Sequence, residues 1–178
     1  MSTWVAFLRG MNLGGRRITN EELCAHFEGL GLENVRAFQA SGNVLFETEA
    51  SDRAALVSHI EKGLAAALEY EVPTFLRDAR EVRAIAAHRP FDEDLRATGR
   101  KVQVALLSRP ASPEARDSVQ ARGSDADLLI CEEREIYWAP LLGVGRSELD
   151  WKAIEKLVGP VTVRTQGTMQ RIAARLGD

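Results

Sequence analysis

Residues 4–8, Trp-Val-Ala-Phe-Leu, form a continuously apolar run of strand length, which predicts a strand buried on both faces. Gly10-Met11-Asn12-Leu13-Gly14-Gly15-Arg16-Arg17 breaks it. Thr19, with Glu22 three residues later, predicts a capping box that opens a helix. Leu23, Phe27 and Leu30 supply the apolar stripe of that helix, and Gly31 stops it. Residues 35–40 and 44–48 alternate as strands around Ser41-Gly42-Asn43, a hairpin signal. A second helix starts near Asp52, with Leu56, Ile60 and Leu64 at four-residue steps. Residues 72–77 read as a fourth strand, and Asp78 with Glu81 caps a third helix reaching about His88.

Strand, helix, strand, strand, helix, strand is the split βαβ, or ferredoxin-like, order. Pro90, Gly99 and a mixed run of charges mark 89–100 as a linker. The order then recurs. Residues 102–107 form a strand, Ser112-Pro113 opens a helix that Gly123 ends, and 127–131 with 135–139 make a second hairpin. Ser147 and Asp150 start a helix through Ile154 and Leu157 that Gly159-Pro160 stops. A short strand at 161–164 and a helix to Leu176 follow. The chain is therefore expected to be an α+β protein of tandem ferredoxin-like (βαββαβ) units with antiparallel sheets and helices packed on them. The boundaries are 1–88 for the first unit with an extra helix, 89–100 for the linker, and 101–178 for the second unit with its C-terminal helix.

Composition narrows the function classes. The 178 residues are 45% hydrophobic with a net charge of -3, which excludes wholesale disorder and gives no electrostatic case for nucleic acid. Cys24 and Cys131 are too few for a disulfide scaffold or a zinc site and read as small core residues. His26, His59 and His88 stand singly on helices, without metal-ligand spacing. No signal-peptide core or membrane-length apolar stretch is present, so a soluble cytoplasmic chain is expected. Of the 23 basic residues 19 are Arg, and position makes that bias informative. No acid precedes Glu21, and none lies between Glu155 and Asp178, so both ends are basic.

The first loop carries three glycines and two arginines between a strand and a helix. Glycine lets backbone N–H groups approach an anion, and the helix N-terminus adds positive potential. Arg9, Gly10, Asn12, Gly14, Gly15 and Arg16 are therefore candidate anion ligands. Arg16 and Arg17 stand where a P-loop needs Lys and Ser or Thr, so a nucleotide triphosphatase is not indicated. Ser41 and Asn43 are candidate hydrogen-bonding groups beside the hairpin turn, and Gly143-Val144-Gly145-Arg146-Ser147 is a second glycine loop running into a helix start. There Gly145, Arg146 and Ser147 are the candidates, with Ser147 expected to act first as the N-cap. Trp151 is expected to pack beneath that loop.

Arg9-Gly10-Met11-Asn12-Leu13-Gly14-Gly15, Ser41-Gly42-Asn43-Val44-Leu45-Phe46 and Gly143-Val144-Gly145-Arg146-Ser147-Glu148-Leu149 together resemble the bacterial domain of unknown function 1697 family, with its LRGxNxGG, SGNVxF and GxGRSxL segments. The resemblance spans nearly the whole chain. It implies the duplicated α+β fold and no activity. That family's Thr-Thr-Arg-Asn-Trp-Asn-Thr run corresponds to 162–168 here. Arg164 and Thr168 match and join the candidate set, whereas Thr165-Gln166-Gly167 replaces the Asn-Trp-Asn centre, so any role of that aromatic or those amides does not carry over.

Three function classes follow. The leading one is binding of a small anionic or phosphate-containing ligand between basic glycine-rich loops. If the halves pack together, Arg9, Arg16, Arg146 and Arg164 are expected to converge on one groove. No general base or cofactor can be assigned, so whether the ligand is a substrate stays open. The second class is a protein-interaction or oligomerisation module, monomer and homodimer both remaining open. The third, RNA or DNA binding, is the weakest, because the first and third strands offer only Phe7 and Phe46 for stacking.

Overall fold

The computed structural model describes residues 1–11, 15–39 and 42–177. Contacts divide the chain into two compact units, Met1–Val82 with Arg175–Asp178, and Arg83–Ala174. The first contains β1 (Ser2–Leu8), α1 (Asn20–Gly29), β2 (Glu33–Ala37), β3 (Asn43–Thr48), α2 (Arg53–Leu68), β4 (Thr74–Asp78) and the start of α3 (Ala79–Ala87). Its sheet is antiparallel throughout, in the order β2-β3-β1-β4. The second contains the rest of α3, then α4 (Glu93–Ala97), β5 (Gln103–Leu107), α5 (Pro113–Gln120), β6 (Asp127–Cys131), β7 (Glu135–Pro140), α6 (Trp151–Val158), β8 (Val161–Thr165) and α7 (Gln166–Ala173). Its sheet has the same antiparallel order, β6-β7-β5-β8.

Local chemistry sets these bounds. Thr19 Oγ1 accepts from Glu22 N at 3.1 Å and Glu22 Oε2 from Thr19 N at 2.8 Å, the expected capping box. That N–H also holds the Glu22 carboxyl below its ordinary pKa. Asp78 and Glu81 form the same reciprocal pair at the start of α3. Gly31 follows α1 at φ +82°, where a β-carbon would be strained. Phe27, Ile60 and Leu64 of the two helices are fully buried on the sheet face carrying Trp4, Ala6, Leu8, Val44 and Phe46. In the second unit Val119, Ile154 and Val158 cover Ala105, Leu107, Leu129, Ile136 and Trp138 in the same way.

The repeat extends to single hydrogen bonds that sequence identity conceals. Asp52 and Asp150 cap α2 and α6, each accepting from the N–H three residues on. Glu61 takes the N–H of Thr74 at the start of edge strand β4, and Glu155 takes that of Val161 at the start of edge strand β8, both at 3.0 Å. Val5 stands opposite Arg77 as Val104 stands opposite Arg164. Each of these arginines folds Nη1 back onto the carbonyl before it, Leu76 at 2.9 Å and Val163 at 3.0 Å.

Three local expectations change. Strand β2 ends at Ala37, because Gln39 and Gly42 take positive φ (59° and 72°) and turn the chain. The 89–100 segment holds the short helix α4, capped by Asp92 on Leu95 N at 2.9 Å. Ser147 does not cap α6. Asp150 does, and the Ser147 hydroxyl is engaged elsewhere.

Candidate functional site

Hairpin strand β7 leaves the sheet at Pro140, and α6 begins only at Trp151. The intervening loop includes a single 3-10 turn, Val144–Arg146, entered through Gly143 at φ +81°. Leu141 N donates to Ala126 O at 2.7 Å, fastening the loop's first residue to the turn before β6. At its other end Ser147 Oγ donates to Asp127 Oδ1 at 2.6 Å and accepts from Leu149 N at 3.2 Å. Asp127 Oδ1 also accepts from Trp138 Nε1 at 2.8 Å. The carboxylate is buried, so these two donors replace the water it loses. Trp138 meets Trp151 edge to face at 5.2 Å, placing Trp151 beside the loop's anchor.

Between the loop and the 122–127 turn lies a cavity of about 530 Å³. Arg122, Ser124, Ala126, Asp127, Leu142, Arg146, Ser147, Glu148, Leu149 and Asp150 line it. That volume lies within the range of small-molecule sites. The Arg122 and Arg146 side chains are exposed, and among the described residues neither guanidinium has a hydrogen-bond or ion-pair partner. The carboxylates are partly spoken for, since Asp127 holds Trp138 and Ser147 while Asp150 caps α6. Basic, acidic and apolar groups thus face one space, which suits a ligand with an anionic group and hydrogen-bond donors.

The first-loop candidates lie in the other unit. Asn12, Gly14 and Ser41 fall outside the described residues. Gly10 and Gly15 take φ +74° and +82°, as a turn requires. Arg9 is exposed, with its N–H on Pro73 O at 3.0 Å. Arg16 stacks over Tyr70, 4.1 Å from the ring centroid, and lines a smaller basin of about 270 Å³ with Arg17, Glu22 and His26. Asn43 is fully buried, and its amide donates to Phe38 O at 3.1 Å, closing the hairpin loop.

Arg164 does not join Arg146. Ser147 ties the Arg146 loop to β6, and Arg164 lies on β8, the opposite edge of a four-stranded sheet, so three strand spacings of roughly 5 Å intervene. Arg164 pairs with Val104, on the face opposite to Trp138 and Asp127. Its Nη1 also donates to Thr162 Oγ1 at 2.8 Å, and burial pulls its pKa down to about 10. Thr168 is buried within the α7 cap, between Thr165 Oγ1 and the Arg171 guanidinium. Both are satisfied inside the fold rather than turned toward the cavity.

The matching family is described as a protein of unknown function (DUF1697), and the match covers residues 1–137. The chain belongs to this family. The first loop and the hairpin motif fall within the matched segment, whereas Gly143–Leu149 and 162–168 lie beyond it. A solved structure, that of the conserved bacterial protein SP0830 from Streptococcus pneumoniae, is similar at 20% identity and a TM-score of 0.73, over 98% of each chain. At that identity the likeness carries the DUF1697 chain's α+β fold. No functionally curated protein matches the chain. Among the described residues no helix is long and apolar enough to cross a membrane.

Sequence reasoning missed Arg122 and Asp127. Their signal lies in the fold, because Asp127 meets Ser147 across 20 residues. Of the two cysteines in this family member, Cys24 is half-buried and Cys131 is buried in the second core. Burial pushes the Cys131 thiol up to about 11, so little thiolate forms at neutral pH. A thiol-disulfide reagent at pH 8 is expected to leave Cys131 unmodified in the native protein and to modify it on denaturation. Fast addition of two labels to the native chain, read by intact mass, would contradict this burial, since Cys24 accounts for only one.

Proposed function

We propose that this chain binds a small phosphate-containing ligand in the second-unit cavity, with Arg122 and Arg146 holding the anionic group. The observation that carries the proposal is the pair of guanidinium groups, without a partner among the described residues, that line a ligand-sized space. Arg presents a planar fork that matches phosphate oxygens bidentately. Ser124 offers a hydroxyl proton, its oxygen already accepting from Asp127 N, and Glu148 with the free faces of Asp127 and Asp150 can accept from ligand hydroxyl groups. Cytoplasmic residence belongs to the same proposal and is supported by two unpaired cysteines.

Sheet-edge association is less favoured. Edge strand β6 has Asp127 N covered by Ser124 Oγ at 3.1 Å and Cys131 N by Gln120 Oε1 at 3.0 Å. Edge strand β2 carries a register shift between Glu33 and Arg36. Side-chain capping and bulges of this kind blunt a sheet edge.

Titration calorimetry with glycerol 3-phosphate tests the proposal. Arg146→Ala and Arg122→Ala are each expected to weaken binding on the order of tenfold, the worth of a charge-assisted hydrogen bond. Thermal stability should change little, because both side chains are exposed and, among the described residues, neither guanidinium makes a hydrogen bond or ion pair. Equal affinity in all three proteins would place the anion elsewhere.

A further inference from the structure

The two units differ most informatively in one connection. In the first, residues 49–52 lead from β3 to α2. In the second, residues 141–150 lead from β7 to α6. Both end on an aspartate N-cap, so the six extra residues lie ahead of a shared feature. The first unit buries its core without them, which means that a unit of this fold does not need them. The added residues are not buried either, for Leu141, Leu142 and Val144 are 51%, 64% and 52% exposed.

Three large apolar side chains are thus exposed within four residues, and grouped exposed apolar surface is what marks a contact site, whereas scattered residues need no explanation. The segment is held at both ends, by Leu141 N on Ala126 O and by Ser147 on Asp127. Between those anchors Gly145 has open space around its α-carbon, so no packing forced a glycine there. Leu142 and Leu149 face the same cavity as Arg122 and Arg146. A bare phosphate or a phosphorylated polyol would satisfy the arginines and leave the leucines in water.

Building on the phosphate-binding proposal, we infer that residues 141–149 are a ligand-recognition insert, selecting an organic phosphate that carries a ring-sized apolar group beside its phosphate. The phosphate lies on Arg122 and Arg146, and the ring covers Leu142 and Leu149. Arg146 supplies charge and Leu142 supplies discrimination from one continuous segment.

The test uses the full chain and two probes with the same anionic group, phenyl phosphate and glycerol 3-phosphate, in titration calorimetry. Phenyl phosphate is expected to bind about tenfold more tightly, the effect of burying most of one ring. Leu142→Ser, at a position 64% exposed, should reduce that preference, Leu149 remaining, and leave glycerol 3-phosphate binding within about twofold. Arg146→Ala should weaken both probes. Equal affinities in the unmodified chain, or equal loss of both probes in Leu142→Ser, would overturn the inference while the phosphate site stands. Absence of binding by either probe would overturn both.

Discussion

Phe27→Ala is expected to cost about 3–5 kcal/mol of folding stability. Phe27 is fully buried, and its ring meets Phe46 at 5.7 Å between α1 and the central strand β3. Removing it deletes the transfer free energy of a ring and opens a hole beside Phe46, in a core that also holds Ile60, Leu64 and Val44. Thermal unfolding should fall by about 6–20 °C for a chain of this length. Phe27→Leu keeps most of the volume and should cost about 1 kcal/mol. A small shift for Phe27→Ala, measured by calorimetry, would mean that the helix-to-sheet core is not closed around this ring.

Asp127→Ala is expected to be nearly as damaging, for a different reason. Trp138 is 2% exposed, and its Nε1–H has Asp127 Oδ1 as acceptor. Without the carboxylate this donor is buried and unpaired, and Ser147 loses the anchor that holds the 141–149 segment. The combined cost is about 2–4 kcal/mol. Asp127→Asn keeps an oxygen where Trp138 and Ser147 need one and should cost about 1 kcal/mol, the difference between a charge-assisted and a neutral bond. Tryptophan fluorescence separates the two variants, because Trp138 and Trp151 sit together at the anchor. Equal destabilisation by alanine and asparagine would show that charge, rather than acceptor geometry, governs Asp127.

Most of the architecture was legible because its signals are local. The capping boxes at Thr19 and Asp78, the Pro113 start and the extent of β6 depend on residues within one turn or one strand. Helix α4 was not legible, since it has no buried residue and hence no apolar period to detect. Its Asp92 cap was the only cue, and it lay in a charged run that reads equally well as solvated linker. Ser147 misled for a related reason. A serine shortly before a helix is a good cap by type, but the tertiary bond to Asp127 outcompeted that role and left capping to Asp150.

The candidate site divides in the same way. Gly145, Arg146 and Ser147 were visible as a glycine loop, and Arg146 and Ser147 do line a cavity. Arg164 looked equivalent because it ends a strand, but alternation along β8 directs it to the other sheet face. A residue-type argument could not separate the two without the register. The length difference between the 49–52 and 141–150 connections was present in the sequence throughout, and it gains meaning once Asp52 and Asp150 are seen to be equivalent caps.

In the proposed function the ligand sits in the second-unit cavity rather than at the first glycine loop. A crystal structure of the full chain grown with glycerol 3-phosphate tests it most directly. Phosphate oxygens are expected about 2.7–2.9 Å from the guanidinium nitrogens of Arg122 and Arg146. Phosphate density in the basin of Arg16, Arg17 and Tyr70, with the 141–150 cavity empty, would contradict it.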